Sequence, residues 1–389
     1  MQIHTVKKGD TIFKIARKYA TSPMKIIENN ELENPDRLSV GQKLLILTPT
    51  RTYTVRGSDE LSKISERFGV KYDTLLSLNP YLYGKDKIYP GQILSIKHDT
   101  PKYGLACANG YCFNGTTAER LSLALPYLTY LTVGAGKRSG NDVEIMFDDK
   151  KILSAAKEKS KRTLLRIYDD GCDFTDSYID NLSSISKKRG YDGVMMASYE
   201  AMKKAPANYA EFLMKLKKRL MGEDLLLFSE IDGNDTTYPP DVCDGYTLMY
   251  EKGCLDDIPS FNDGEADTML SFAKNSESAK AYIDIPTLAY MGDEEILIPE
   301  AEKLAYNSAR EIEYDDDKKI CTFNYNKYRA GKRETVRVAY ESLENVKEKL
   351  ELVGELGFMG ISFDIMNIPI AYLMLFESMF HRPEIYPDI

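Results

Sequence analysis

The chain has 389 residues, 43% of them hydrophobic, and a formal net charge of −9. That length leaves room for two or three domains, and that hydrophobic share supports a sizeable core, which excludes a disordered chain. The acidic balance excludes a nucleic-acid binder, which needs a basic footprint, and argues against docking on anionic lipid.

No apolar run reaches the roughly 18 residues of a membrane span, so no membrane insertion is expected. The opening MQIHTVKKGDTIFKIARKYA has no continuous apolar stretch of the signal-peptide kind, so synthesis without a classical signal peptide is expected. The six cysteines (Cys107, Cys112, Cys172, Cys243, Cys254 and Cys321) are scattered without a CxxC pair, and His4, His98 and His381 lie far apart. Reduced thiols, no metal and no cofactor are the expectation.

Two repeats occupy the first hundred residues. HTVKKGDTIFKIARKYATSPMKIIENN aligns with YTVRGSDELSKISERFGVKYDTLLSLN at an offset of 49, and LSVGQKLLI aligns with IYPGQILSI after one inserted residue. Val6 falls on Val55, Asp10 on Asp59, Ile15 on Ile64, Asn30 on Asn79 and Gly41 on Gly91. In each unit a β-branched run precedes a polar turn. Apolar residues then recur at helical spacing, a second short helix follows, and Gly-Gln leads into a closing strand. Two strands with two helices make a small single-core module.

These units resemble LysM modules, predicted over residues 1–48 and 51–98. The resemblance implies binding of N-acetylglucosamine-containing glycan, peptidoglycan or a chitin-like chain. The groove lies between the first strand–helix loop and the second helix–strand loop. It assigns Gly9, Asp10, Thr11, Ile12 and Asn30 to the first groove, and Asp59, Glu60, Leu61, Asn79 and Pro80 to the second. The second unit departs from the pattern, with Ser58 for the Gly and Glu60 for the Thr. The same positions also suit plain turn and cap residues. LTPTRT (47–52) and KHDTPK (97–102) read as short linkers of limited reach.

Beyond residue 101, short apolar strands alternate with amphipathic helices. KYGLACA, LTYLTVGA, RTLLRIYD, YDGVMMAS, DLLLFSEI, DGYTLMYE, AYIDIPTLAY and MGISFDIM are the strand candidates; YAEFLMKLKKRL and ESLENVKEKLELVGELG are examples of the helices. Continuous apolar strands between helices imply a parallel sheet, and eight units imply an α/β fold, a (β/α)8 TIM barrel over 101–389. A small α+β insert is predicted at about residues 295–340, with YDDDKK (314–319) as a surface turn.

Several pieces resemble the family 18 glycoside hydrolase barrel of LysM-bearing spore cortex-fragment-lytic glucosaminidases. They are YDGV (191–194) with Asn208-Tyr209 downstream, MYE (249–251), IDIPTLAY (283–290) and the run 312–363. That family carries D-x-x-D-x-D-x-E on its fourth strand; the Glu is the general acid, and the Asp two residues before it orients the substrate's acetamide nucleophile. With Asp192 as the first Asp, the second falls on Met195, the third on Ala197 and the acid on Tyr199. Glu200 is one residue late, and a one-residue slip turns a side chain to the other face of a strand unless a bulge restores it. The chain has no Trp. Asp364 stands where the family's Trp floors the sugar site.

Acids do remain near predicted strand ends: Asp169, Asp170, Glu230, Glu251, Asp284 and Asp364. Tyr199, Glu230, Tyr250, Glu251 and Asp364 are therefore predicted at the barrel mouth. Converging carboxylates could perform acid–base work or hold a hard cation; the alternative is a solvated rim. Three functions follow in order of preference. The first is a non-catalytic binder of peptidoglycan or spore cortex with a pseudo-glycosidase barrel, at the spore surface or cell wall. The second is a structural coat protein whose partners are spore coat proteins. The third is an active N-acetylglucosaminidase with a displaced acid.

Overall fold

The computed structural model describes residues 1–82, 87–98, 103–232, 242–249, 264, 266–275, 280–285, 287–329, 332–381 and 383. The first repeat forms β1 (Gln2–Thr5), α1 (Ile12–Lys18), α2 (Pro23–Asn29) and β2 (Lys43–Ile46), with β1 and β2 antiparallel. Ile12, Ile15, Ala16 and Ile26 close its core against Leu44 and Ile46. Helix α1 starts where it does because Thr11 is extended and its hydroxyl accepts from the Lys14 amide. The second repeat copies this plan with β3 (Arg51–Thr54), α3 (Leu61–Phe68), α4 (Tyr72–Ser77) and β4 (Ile93–Lys97), around Leu61, Ile64, Leu75 and Leu94. The helical periodicity of both repeats is thus expressed as βααβ units.

The barrel begins with β5 (Cys107–Cys112), α5 (Ala118–Ala124), β6 (Tyr130–Ser139), β7 (Asp142–Ile145) and α6 (Lys150–Glu158). It continues with β8 (Arg162–Tyr168), α7 (Asp176–Arg189), β9 (Gly193–Ala197), α8 (Tyr199–Lys204), α9 (Pro206–Met221) and β10 (Leu226–Asp232). Then come β11 (Gly245–Met249), α10 (Asp267–Asn275) and β12 (Ala281–Asp284). An insert follows, with β13 (Leu288–Met291), β14 (Glu294–Leu297), α11 (Ile298–Asn307), β15 (Glu313–Asp315), β16 (Ile320–Arg329) and β17 (Lys332–Glu341). The chain ends with α12 (Leu343–Glu355), β18 (Gly360–Asp364) and α13 (Ile370–Met379).

Strands β5, β6, β8, β9, β10, β11, β12 and β18 are all parallel, and β18 pairs with β5, which also pairs with β6, so the sheet closes on itself. This is the eight-stranded barrel that the alternation of strands and helices predicts. Side chains alternate across each strand. Cys107, Tyr111, Tyr130, Leu164, Met195, Phe228 and Tyr282 meet inside the barrel. Leu131, Leu165, Val194, Met196, Leu227, Leu248, Ile283 and Phe363 face the helices.

Two predicted strands are placed differently. The first starts only at Cys107, near the end of KYGLACA, and runs on to Cys112: Leu105 forms only an isolated bridge to His381, and the Tyr103 amide is tied to the Met379 carbonyl, so residues 103–105 anchor the C-terminal helix instead. The seventh splits. Asp284 ends the barrel strand, and Leu288–Met291 pairs antiparallel with β14 and β17. The insert therefore starts near 288, earlier than 295, and is a five-stranded sheet ordered β14-β13-β17-β16-β15 with α11 beside it. YDDDKK does turn: Asp315 accepts from the amides of Asp317 and Lys318.

The linker reading of 47–52 is also corrected. Leu47 and Leu45 are buried in the barrel's own core, and the Thr50 amide donates to the Lys97 carbonyl. The first repeat is docked on the insert. The Ile312 amide donates to the Val40 carbonyl at 2.8 Å, Ser39 Oγ to the Glu302 carbonyl at 2.9 Å, and Gln42 Nε2 to Glu302 Oε2 at 2.7 Å. Gly41 and Gly91 occupy the same turn of the two repeats, with φ of +89° and +87°. A Cβ on Gly91 meets nothing, whereas one on Gly41 falls 1.9 Å from the Ile312 carbonyl oxygen. Gly41→Ala and Gly91→Ala share a left-handed penalty of about 1–2 kcal/mol, but only Gly41→Ala also breaks the docking. Denaturation should therefore show a larger loss for Gly41→Ala, and equal losses would mean that the docked geometry adds no stability.

Candidate functional site

The fourth barrel strand, β9, pairs with β8 and β10 without a register shift. Its inward face carries Gly193, Met195 and Ala197, alternating with Val194 and Met196 on the helix side. Met195 and Ala197 are completely buried. Asp192 lies before the strand, where its Oδ2 accepts from the Thr163 amide (2.7 Å) and hydroxyl (3.0 Å) and ties β9 to β8.

Just past β9, Tyr199 opens the short helix α8 and points at Glu230 on β10, donating to Oε2 at 2.6 Å. The same carboxylate is gripped by Arg166 of β8, with Nε to Oε1 at 2.6 Å and Nη2 to Oε2 at 2.8 Å. This two-pronged pairing is the strong geometry for a guanidinium on a carboxylate. Glu230 has no exposed side-chain surface and Arg166 is 16% exposed. The Arg166 guanidinium also lies over the Phe113 ring, 5.8 Å from its centroid.

The electrostatics keep this cluster charged on one side and neutral on the other. Burial works against the charge on Arg166, but the Glu230 carboxylate overrides it and drives the guanidinium further up. Burial first, and then Glu230, push the Tyr199 phenol far above its ordinary value, so it stays a neutral donor. Tyr111 is raised in the same way, by burial and then Glu230. Both oxygens of Glu230 are committed to Arg166 and Tyr199. Oε1 accepts from Arg166, and Oε2 accepts from both Arg166 and Tyr199.

The other predicted acids are placed as follows. Glu200 is exposed on α8 and pairs with Lys204 one turn on, at 2.5 Å; no bulge returns it to the inward face. Asp364 is the last residue of β18 and accepts from the Met366 amide (2.9 Å) and from Asn367 Nδ2 (3.0 Å), so it caps a turn; burial pushes its pKa up. Asp169 is buried and holds its own loop, accepting from the Gly171 amide, Arg138 and the Tyr178 hydroxyl. Asp284 accepts from Ser362 Oγ at 3.3 Å. Tyr250 and Glu251 lie outside the described residues. Among the described residues no group of three or more His, Cys, Asp or Glu side chains is gathered to hold a metal ion. No helix among them is long and apolar enough to cross a membrane.

The structure brings Tyr199 and Glu230 together, while Glu200 is paired with Lys204 and Asp364 with its own turn. Sequence reasoning missed Arg166. Its signal was visible: in RTLLRIYD, Leu164 and Arg166 share the inward face, and a charge inside a barrel needs a buried partner.

In the repeats, the predicted groove residues divide into two kinds. Gly9 and Thr11 are exposed, as is Glu60, which pairs with Lys63. Asp10 is partly exposed and accepts from the Lys7 amide and from His4; Asp59 accepts from the Arg56 amide and from Tyr53. Ile12, Leu61 and Pro80 are buried. Asn30 and Asn79, predicted in the grooves, act as structural clasps. Asn30 Nδ2 donates to the carbonyls of Ile26 and Leu45 while Oδ1 accepts from the Leu45 amide. Asn79, with no exposed surface, makes the same bonds to Leu75 and Ser95 and also accepts from Lys25 Nζ. Every polar atom of these two amides is spent on joining a helix end to a strand.

The LysM domain family model matches residues 4–47 and 53–97. The chain carries two LysM domains. Over its whole length the fold is similar to the crystal structure of the spore cortex-lytic enzyme SleL of Bacillus megaterium, with a TM-score of 0.74, 22% identity and 99% of each chain covered. The barrel alone is similar to a chitinase from Chromobacterium violaceum, with a TM-score of 0.62 and 16% identity over 70% of this chain and 98% of that one. These two likenesses are of fold. Among curated proteins, the cell wall-binding protein YocH of Bacillus subtilis is 35% identical over 109 residues, 27% of this chain and 37% of that protein. The chain spans about half the length, or less, of the curated relatives it matches.

Proposed function

We propose that the protein is a non-catalytic binder of N-acetylglucosamine-containing glycan, peptidoglycan or spore cortex, in which the LysM pair (1–48 and 51–98) holds the polymer and the barrel (101–389) is a pseudoenzyme. The observation that carries the non-catalytic part is the mouth of the barrel. The place of the general acid belongs to Tyr199, the acetamide-orienting Asp is Ala197, and Glu230 is neutralised by Arg166. Substrate-assisted hydrolysis needs a proton donor and an oriented acetamide, and loss of the donor alone costs orders of magnitude in rate. The LysM match, the cell wall-binding relative and the fold likeness to a cortex-lytic enzyme support a station at the cell wall or spore cortex.

The full chain should co-sediment with insoluble peptidoglycan, cortex or chitin and release no reducing ends from them. A hydrolytic rate that disappears in Glu200→Gln would overturn the non-catalytic part. Protein that stays soluble in the presence of all three polymers would overturn the glycan part.

A further inference from the structure

The docking of the first LysM domain leaves a cleft of about 740 Å³ between its helix–strand loop and helix α11 of the barrel insert. That volume lies within the range of small-molecule sites. One wall is Leu32, Asn34 and Arg37 of the loop; the other is Pro299, Tyr306 and Asn307 of α11. The two walls are held at a fixed separation. Glu31 accepts from Arg120 Nη1 at 2.8 Å and from the Ile370 amide at 2.7 Å, and Gln42 clasps Glu302.

The chemistry of the lining is specific. Arg37 lies over the Tyr306 ring, 5.5 Å from its centroid, and has no carboxylate partner among the described residues. Tyr306 is 37% exposed and both side-chain amides are exposed. Asn34 spends its carbonyl oxygen on the Asp36 amide, which leaves its NH₂ to donate. The cleft therefore offers amide and guanidinium donors for hydroxyl and acetamide oxygens, beside Leu32, Pro299 and an aromatic ring for the apolar face of a pyranose and an acetamide methyl. Glu31, Glu33, Glu300 and Glu302 outnumber Arg37 and Lys303 around it, which disfavours an anionic ligand.

We infer that this cleft, which α11 forms with the first LysM domain's helix–strand loop and which none of Gly9, Asp10, Thr11 and Ile12 lines, is a further site that binds a short, uncharged oligosaccharide of N-acetylated amino sugar. This rests on the glycan-binding reading above and adds a barrel residue, Tyr306, as a determinant of affinity.

The test is calorimetric titration of the full chain with the β-1,4-linked tetramer of N-acetylglucosamine. Tyr306→Ala combined with Asn307→Ala should weaken binding by about tenfold or more, as loss of an aromatic anchor does, with the thermal midpoint unchanged because both side chains are exposed. Tyr306→Phe, which keeps the ring, should bind as the parent does. If the double variant binds the tetramer as tightly as the parent, the cleft is not the site, while the glycan-binding reading stands. If the parent itself does not bind the tetramer, the cleft proposal falls. The co-sedimentation experiment then decides separately whether the glycan reading falls with it.

Discussion

Glu230→Gln should destabilise the protein by about 3–5 kcal/mol, because it strips a buried guanidinium of its counter-charge. Glu230 is the only carboxylate on Arg166 among the described residues, and it also receives the Tyr199 hydroxyl. Arg166→Met should cost a similar amount by leaving the carboxylate buried beside two neutral tyrosines. Removing both charges, in Arg166→Met with Glu230→Leu, should recover most of the loss, since a buried pair barely offsets its own desolvation. Tyr199→Phe should cost less, about 1.5–3 kcal/mol for one hydrogen bond to a charged group. Chemical denaturation of the four variants separates these outcomes. If Glu230→Gln falls within about 1 kcal/mol of the parent, the carboxylate is not paired as described.

Asn79→Ala should unfold the second LysM domain selectively. The substitution orphans the Ser95 amide and the carbonyls of Leu75 and Ser95, and leaves the buried Lys25 ammonium with only the Tyr81 ring and Glu28. A buried polar group left unpaired costs about 1–3 kcal/mol, so three of them together match the few kcal/mol that a core of this size supplies. Hydrogen exchange should show protection lost across α3, α4 and β4 while the barrel strands keep theirs. Unchanged protection in β4 would refute the clasp. Asn30→Ala should weaken the first domain in the same sense but by less, for Asn30 is only half-buried whereas Asn79 has no exposed surface. The loss of glycan binding in Asn79→Ala would then report the fold of the domain, since Asn79 has no exposed surface.

This division between clasp and groove was not legible in the repeat alignment. Asn30 and Asn79 recur at one position in both units, and recurrence is equally natural for a contact with sugar and for a cap that every unit needs. Only the placement of the closing strand, whose bonded residue lies 15 residues downstream in the first unit and 16 in the second, shows that the amide is consumed within the fold. The barrel was more readily read. Alternation in YDGVMMASYE assigns Met195 and Ala197 to the inward face, and β9 runs without a bulge, so the one-residue lag of Glu200 keeps that carboxylate outside on α8.

The amino-acid sequence by itself determined the two βααβ repeats, the run of eight parallel strands and the inward face of β9. Each of these is a local periodicity, 3.6 or 2 residues, that a short window contains in full. The tertiary structure decided the rest. Arg166 meets Glu230 across 64 residues because closure of the barrel brings β8 and β10 to either side of β9. Val40 meets Ile312 because the insert that leaves β12 folds back over the first LysM domain. A pairing between distant charged or polar groups has no local signature; it exists only once the intervening chain has chosen its path.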